Sequence, residues 1–247
     1  MRFFLEIAYK GTAYHGWQIQ KNAMSVQEVL NKMLAKLLSD EPETIGSGRT
    51  DTGVHALQQY VHIDSGKNLL DADFLYKINK ILPRDIVIKS VKKVKDDAHA
   101  RFDAVSRSYE YRMVTEKDPF LLDVTYYHSK KLDIDEMNKA ASLLLKYTDF
   151  ESFCKVKTDV KSFDCNVTRA EWVKRGIMIT FNISSNRFLR GMVRALVGTL
   201  LEVGQGKLTV QDFEEIILSK NRKKAGKAAP AHGLFFTKII YPDFIYQ

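Results

Sequence analysis

The order of hydrophobic periods constrains this chain more than any single motif. A strand, a helix, a strand, a helix and a strand are followed, after a lapse in periodicity at residues 99–104, by the same order again. Residues 2–9 alternate as a half-buried strand does, with Phe3, Leu5, Ile7 and Tyr9 on one face and Arg2, Glu6 and Ala8 among those on the other. Ser25 with Glu28 makes a capping box for an amphipathic helix whose apolar face is Val26, Val29, Leu30, Met33, Leu34 and Leu37. Residues 57–64 read as a strand, Asp73 to Leu82 as a helix stopped by Pro83, and 86–94 as extended chain. Beyond the lapse, 106–114 reads as a strand with Tyr109, Tyr111 and Met113 on one face, and Asp133 with Glu136 caps a helix through Tyr147. Residues 167–174 and 177–184 form a hairpin turned by Arg175-Gly176. Asn186 to Val203 reads as helical, Thr209 with Asp212 caps a helix to Lys220, and 234–241 closes the chain as a strand. Two helices per half on one face of an antiparallel sheet is an α+β layout. The repeated order predicts halves at 1–104 and 105–247, one continuous mostly antiparallel sheet, and a pseudo-twofold axis.

Composition enters where it narrows function. A chain of 247 residues with 45% hydrophobic and 28% charged residues can bury a sizeable core, which argues against disorder. The 38 Lys plus Arg outnumber 30 Asp plus Glu, for a formal charge of +8, and a pI near 9.3 favours a polyanionic partner, nucleic acid before an anionic membrane. The early run Met1-Arg2-Phe3-Phe4-Leu5-Glu6 carries charges and has no uninterrupted signal-peptide core, and no stretch approaches the length of a membrane span, so a cytoplasmic protein is expected. Cys154 and Cys165, without a C-x-x-C pattern or a nearby histidine pair, indicate neither zinc nor a disulfide framework and read as small packing residues. Within the loop at 10–17, Trp17 reads equally as a core residue or a substrate contact.

The working stretch is Gly46-Ser47-Gly48-Arg49-Thr50-Asp51-Thr52-Gly53-Val54-His55-Ala56, a cation and a carboxylate two residues apart among three glycines. Gly46 and Gly48 open a G-x-G-x-x-G pattern, but Asp51 fills its sixth position and would repel a pyrophosphate. Asp51-Thr52-Gly53 and Asp64-Ser65-Gly66 also resemble the paired loops of a carboxylate dyad. The short strand between them cannot build the separate lobe that a dyad requires. A carboxylate hydrolase thus lacks a partner for Asp51, and the remaining ordinary reading is a glycine-rich turn with a surface ion pair.

Five separated stretches decide between these readings. Gly48 to Ala56, Ala100-Arg101-Phe102-Asp103-Ala104, Ser106-Arg107-Ser108-Tyr109-Glu110-Tyr111-Arg112, Phe188 through Met192-Val193-Arg194 to Gly204, and Ala229-Pro230-Ala231-His232-Gly233-Leu234 resemble, in order, the motifs of the TruA family of tRNA pseudouridine synthases. Lys161-Ser162-Phe163-Asp164, in the segment 156–165, departs from the more Arg- and Thr-rich sequence of relatives. Arg222-Lys223-Lys224-Ala225-Gly226-Lys227 reads either as an RNA-facing loop or as a solvated one.

The resemblance implies a pseudouridine synthase fold of two RRM/ferredoxin-like halves with a central catalytic cleft. It also implies a homodimer that needs neither cofactor nor metal and isomerises uridine at positions 38, 39 and 40 of the tRNA anticodon stem-loop. A C-glycoside forms when uracil is detached from ribose, turned, and rejoined through carbon; the family match makes Asp51 the nucleophile. A buried carboxylate that acts ionised needs a cation against its desolvation, and the match points to Arg194. Arg187, Arg190 and Arg194 fall at helical spacing and are expected to form one basic stripe. Because a uridine in a stem must be extruded, Arg49 is suited to inserting toward the RNA and Tyr109 to lying against the flipped uracil. Tyr109 reads otherwise as core, as Tyr111 does. The competing class is a noncatalytic RNA-binding protein of two RRM-like halves, which gives no reason for an Arg-x-Asp in a glycine-framed loop.

Overall fold

The computed structural model describes residues 1–39, 41–156, 158 and 160–247. Lys157 and Asp159 of the divergent segment lie outside the described residues. The chain divides into two compact units, Met1–Ser106 with Phe236–Gln247, and Arg107–Phe235.

In the first unit, β1 (Arg2–Tyr9) is central to an antiparallel arrangement, pairing with β3 (His55–Asp64) on one side and β4 (Ile86–Val94) on the other. A short β2 (Ile45–Gly46) adds to β3 through Ile45↔His62 and Gly46↔Val61. Phe3, Leu5 and Ile7 are fully buried as the alternation predicts; Phe4, on the opposite face, is also buried, edge-on against Tyr241 at 5.0 Å. Helix α1 (Val26–Leu38) starts at Ser25, whose Oγ accepts from Glu28 N at 3.2 Å. The reciprocal half of the expected capping box is replaced by an ion pair, because Glu28 Oε1 takes Lys32 Nζ at 2.6 Å one turn along. Helix α2 (Ala72–Ile81) is capped by Asp71 and packs on β4. Asn79 on that helix brackets the edge strand, its Nδ2 donating to Ile88 O at 2.8 Å and its Oδ1 accepting from Ile88 N at 2.9 Å.

In the second unit, β5 (Ser106–Val114) pairs antiparallel with β8 (Met178–Ser185), which pairs antiparallel with β7 (Val167–Arg175); the short β6 (Tyr126–Tyr127) joins β5 in parallel. Gly176, with φ +58, turns the β7–β8 hairpin as expected. Helix α3 (Ile134–Leu143) lies on β7 and against α4 (Met192–Gly204) and α5 (Val210–Leu218), so among the described residues this unit carries the three helices that the capping and periodicity place beyond residue 104, one more than a layout of two per half. The end of α3 falls short of Tyr147 because residues 144–146 tighten into bonds three residues back, such as Lys146 N to Leu143 O at 2.9 Å. Likewise α5 stops before Lys220, which has a left-handed φ of 50. Asn138 on α3 brackets Trp172 of β7 as Asn79 brackets Ile88, with bonds of 3.0 and 2.7 Å. In each unit an asparagine thus ties a helix to the next long strand of the chain.

The last strand, β9 (Leu234–Ile240), passes from the second unit into the first at Phe236. Residues 236–247 cluster with the first unit, unlike the 105–247 half read from the sequence, because that unit satisfies their polar groups. Val105 N donates to Ile240 O at 2.9 Å, Tyr241 Oη to Ala100 O at 2.6 Å and Gln247 N to Lys93 O at 3.2 Å. Among the described residues no helix is long and apolar enough to cross a membrane.

Candidate active site

The loop carrying Arg49 and Asp51 is held by its backbone. Ser47, fully buried, donates its N–H to Tyr60 O at 2.8 Å while its Oγ accepts from Tyr60 N at 3.2 Å, continuing the β2–β3 contact by one residue. Gln59 Nε2 donates to Gly48 O at 3.2 Å, and Gln59 Oε1 accepts from Tyr9 Oη at 2.9 Å. Thr50 Oγ1 lies 2.8 Å from the same Tyr9 hydroxyl, and Thr50 O accepts from Trp17 N at 3.2 Å. Asp51 O accepts from Val54 N at 3.1 Å, closing a turn in which Gly53, at φ +79, supplies the left-handed third residue that a type II turn needs. Asp51 ends half-buried and Arg49 exposed.

A second loop, residues 11–17, presses on the first so closely that only glycine fits. A Cβ on Gly16, whose φ is +84, would stand 2.3 Å from Thr50 O, and one on Gly11 2.0 Å from Val54 O. Gly11 N donates to Nδ1 of buried His55 at 3.0 Å. Trp17, 2% exposed and stacked on Tyr9 at 6.2 Å, is therefore a core residue; its indole borders Gly46, where a Cβ would meet Nε1 at 2.5 Å. Gly11, Gly16 and Tyr9 are the residues that sequence reasoning passed over; the glycines at each end of a polar loop were their signal.

Asp64, the carboxylate of the other Asp-x-Gly stretch, is committed to an ion pair. Both its oxygens are taken by Arg2, with Nε at 2.8 Å and Nη2 at 2.7 Å, and that hydrogen bond holds its carboxyl below the usual range. Its neighbour His62 is buried, and Nδ1 accepts from Ala100 N at 3.0 Å, anchoring the Ala100–Ala104 stretch. Burial, then the charge of Arg2, pushes the His62 imidazole down to about 4.

In the second unit Tyr109 occupies β5 opposite Ile183, 9% exposed, with the edge of Phe188 at 5.1 Å and 88°. Tyr111 is fully buried, as expected. The expected helical stripe of Arg187, Arg190 and Arg194 is not formed, because α4 begins at Met192 behind Gly191, whose φ of +72 interrupts any helix from Asn186. Asn186 is committed elsewhere: its Oδ1 accepts from Asn166 N at 2.8 Å and from Arg187 N at 2.9 Å. Arg187 and Arg190 thus sit exposed on a loop, and only Arg194 is helical. Arg194, half-buried, donates from Nε to Ala229 O at 2.7 Å and accepts from Ala229 N through its own carbonyl at 2.9 Å.

The basic run after α5 splits by orientation. Arg222 turns inward, donating to Ala225 O at 3.2 Å and Gly226 O at 3.1 Å, whereas Lys223, Lys224 and Lys227 are exposed. Cys154 and Cys165 are free and buried, and burial pushes the Cys165 thiol up to about 11, which suits packing rather than reactivity.

The first α+β unit carries a backbone-locked Arg-x-Asp loop and the second a buried tyrosine and a guanidinium held on Ala229 O, in a chain of formal charge +8. The family model described as tRNA pseudouridine synthase matches residues 7–103 and 140–242. The chain is 49% identical over 248 residues to tRNA pseudouridine synthase A of Bacteroides fragilis, covering 100% of this chain and 98% of that protein. It is 46% identical to the protein of that name from Porphyromonas gingivalis, over 99% of both, and 39% identical to the one from Staphylococcus aureus, over 98% of this chain and 93% of the other. The chain belongs to the tRNA pseudouridine synthase family. It is an enzyme, an isomerase.

Proposed function

We propose that this isomerase converts uridine to pseudouridine at positions 38, 39 and 40 of the tRNA anticodon stem-loop, acting as a homodimer in the cytoplasm with Asp51 as nucleophile. In the net reaction the N1–C1′ bond breaks, a C5–C1′ bond forms, and the proton of C5 is exchanged for one on N1. Arg49 is assigned to RNA insertion, Tyr109 to the face of the flipped uracil, and Arg194 to a cationic contact with the substrate. The observation that carries the reading is the locked, half-buried Asp51 turn inside a matched family segment. A nucleophile fixed by its own backbone loses little freedom on meeting substrate.

Asp51→Asn tests it. Incubated with unmodified tRNA and mapped by chemical sequencing, the variant is expected to form no pseudouridine while binding tRNA as the parent does. Full turnover would remove Asp51 from its role, and parent enzyme that leaves positions 38 to 40 unmodified would overturn the assignment of position.

A further inference from the structure

The side chain of Arg194 is set by a chain of contacts that begins on the strand carrying Tyr109. Arg194 and Ala229 are bound twice, side chain to carbonyl at 2.7 Å and amide to carbonyl at 2.9 Å. The Nε bond fixes the guanidinium plane and so the direction of its terminal nitrogens. Ala229 in turn has little freedom. The chain before it lies on α4 so closely that a Cβ on Gly198 would meet Lys227 O at 1.7 Å, and Gly226 N donates to buried Thr199 Oγ1 at 2.9 Å. The chain after it is tied by Tyr111, whose Oη donates to Pro230 O at 2.8 Å. Gly233 closes the clasp against the same ring, where a Cβ would lie 2.8 Å from Tyr111 Cζ.

We infer that Tyr111 is a positioning residue: its hydroxyl holds the Ala229–Pro230 segment in the place that orients Arg194. Tyr111 stands two residues from Tyr109 on β5, so one strand presents the aromatic ring and, through Pro230 and Ala229, aims the guanidinium. Burial pushes the Tyr111 hydroxyl far up, which keeps it a donor throughout the pH range of folded protein. This inference rests on the reading that Arg194 serves the reaction, and two readouts separate the two claims.

The first readout concerns the clasp alone. In Tyr111→Phe, which keeps the ring, hydrogen–deuterium exchange over residues 226–232 is expected to quicken by about tenfold relative to α4. Unchanged exchange overturns the inference whatever Arg194 does. Should Tyr111→Phe not fold, Arg194→Lys, which loses the Nε bond but leaves the Tyr111 clasp, is expected to keep parent exchange over residues 226–232, and quickened exchange there would overturn the inference that Tyr111, and not Arg194, holds the segment. The second readout is the single-turnover rate with unmodified tRNA. Tyr111→Phe is expected to slow it about tenfold with tRNA affinity within twofold, and to add nothing in an Arg194→Lys background. Multiplying effects, or a wild-type rate in Tyr111→Phe, overturn the inference. Wild-type rates in both Arg194→Lys and Arg194→Gln would instead sink the reading of Arg194.

Discussion

The loop of residues 46–56, which carries Asp51, and the segment 186–194, which carries Arg194, are held in opposite ways. The first is immobilised by main chain pressing on main chain, with Gly11 and Gly16 the points of closest approach and Tyr9, Gln59 and His55 supplying hydrogen bonds behind it. The second is held from outside by side chains and distant backbone: Asn186 to Asn166, Arg107 Nη1 to Asn186 O at 2.7 Å, Lys155 N to Arg190 O at 2.9 Å, and Arg194 to Ala229. A loop locked by shape tolerates almost no added volume. A loop locked by polar partners tolerates volume but fails when a partner is lost.

Gly16→Ala should break the first region most severely, since it adds a left-handed strain and a 2.3 Å clash with Thr50 O. A loss of roughly 3 kcal/mol in urea melts is expected, with pseudouridine formation falling below detection. A loss under 1 kcal/mol would mean that the loop can slide, and shape would not be what holds it.

The first region and its neighbourhood also lean on neutral imidazole, because His55 Nδ1 and His62 Nδ1 both accept backbone N–H groups. For His62 the sign is clear. Its folded value of about 4 lies below the ordinary imidazole value, so the unfolded chain binds more protons between them, and stability present above pH ~6.5 is lost as pH falls toward 4. Arg2 and His99 oppose the imidazolium while Asp64 and Asp103 favour it, and the net shift follows burial. Denaturation midpoints at pH 7 and pH 4.5 should differ more in the parent than in His62→Gln; equal differences would discard this source of acid sensitivity.

Gly191→Ala is the counterpart of Gly16→Ala. It shares the positive φ, but the added Cβ meets only Lys155 Cβ at an ordinary 3.8 Å. A cost of roughly 1 kcal/mol is expected, from conformation alone. A cost equal to that of Gly16→Ala would erase the distinction between the two loops.

The smallest effect is expected from Arg190→Gln. Exposed and off the helix, Arg190 can contribute a phosphate contact without orienting anything. tRNA affinity should fall by less than about threefold, with the slope of log K against log salt reduced by about 0.7–0.9. A loss of catalytic rate at saturating tRNA would show that Arg190 does more than neutralise phosphate.

Where sequence reasoning succeeded and failed follows the same division. Helix and strand positions are set by contacts two to four residues apart, so Arg2–Tyr9, Ile86–Val94 and the Thr209–Asp212 capping box were legible. The glycines framing Asp51 were legible too, because a residue type without Cβ marks a close approach even when its partner is unknown. The start of α4 was not legible. Phe188 and Leu189 keep helical phase with Met192, and only the left-handed Gly191 together with the bonds of Asn186 reveals the break.

Residue order by itself determined the α+β class, the glycine-framed turn around Asp51 and the burial of Tyr111. Tertiary structure alone decided that Trp17 is core, that residues 236–247 belong with the first unit, and that Arg194 is aimed through Ala229. The physical reason is range. The bonds that orient Arg194 join residues 35 and 119 positions apart, and no local period or spacing encodes which carbonyl a distant hydroxyl or guanidinium will meet.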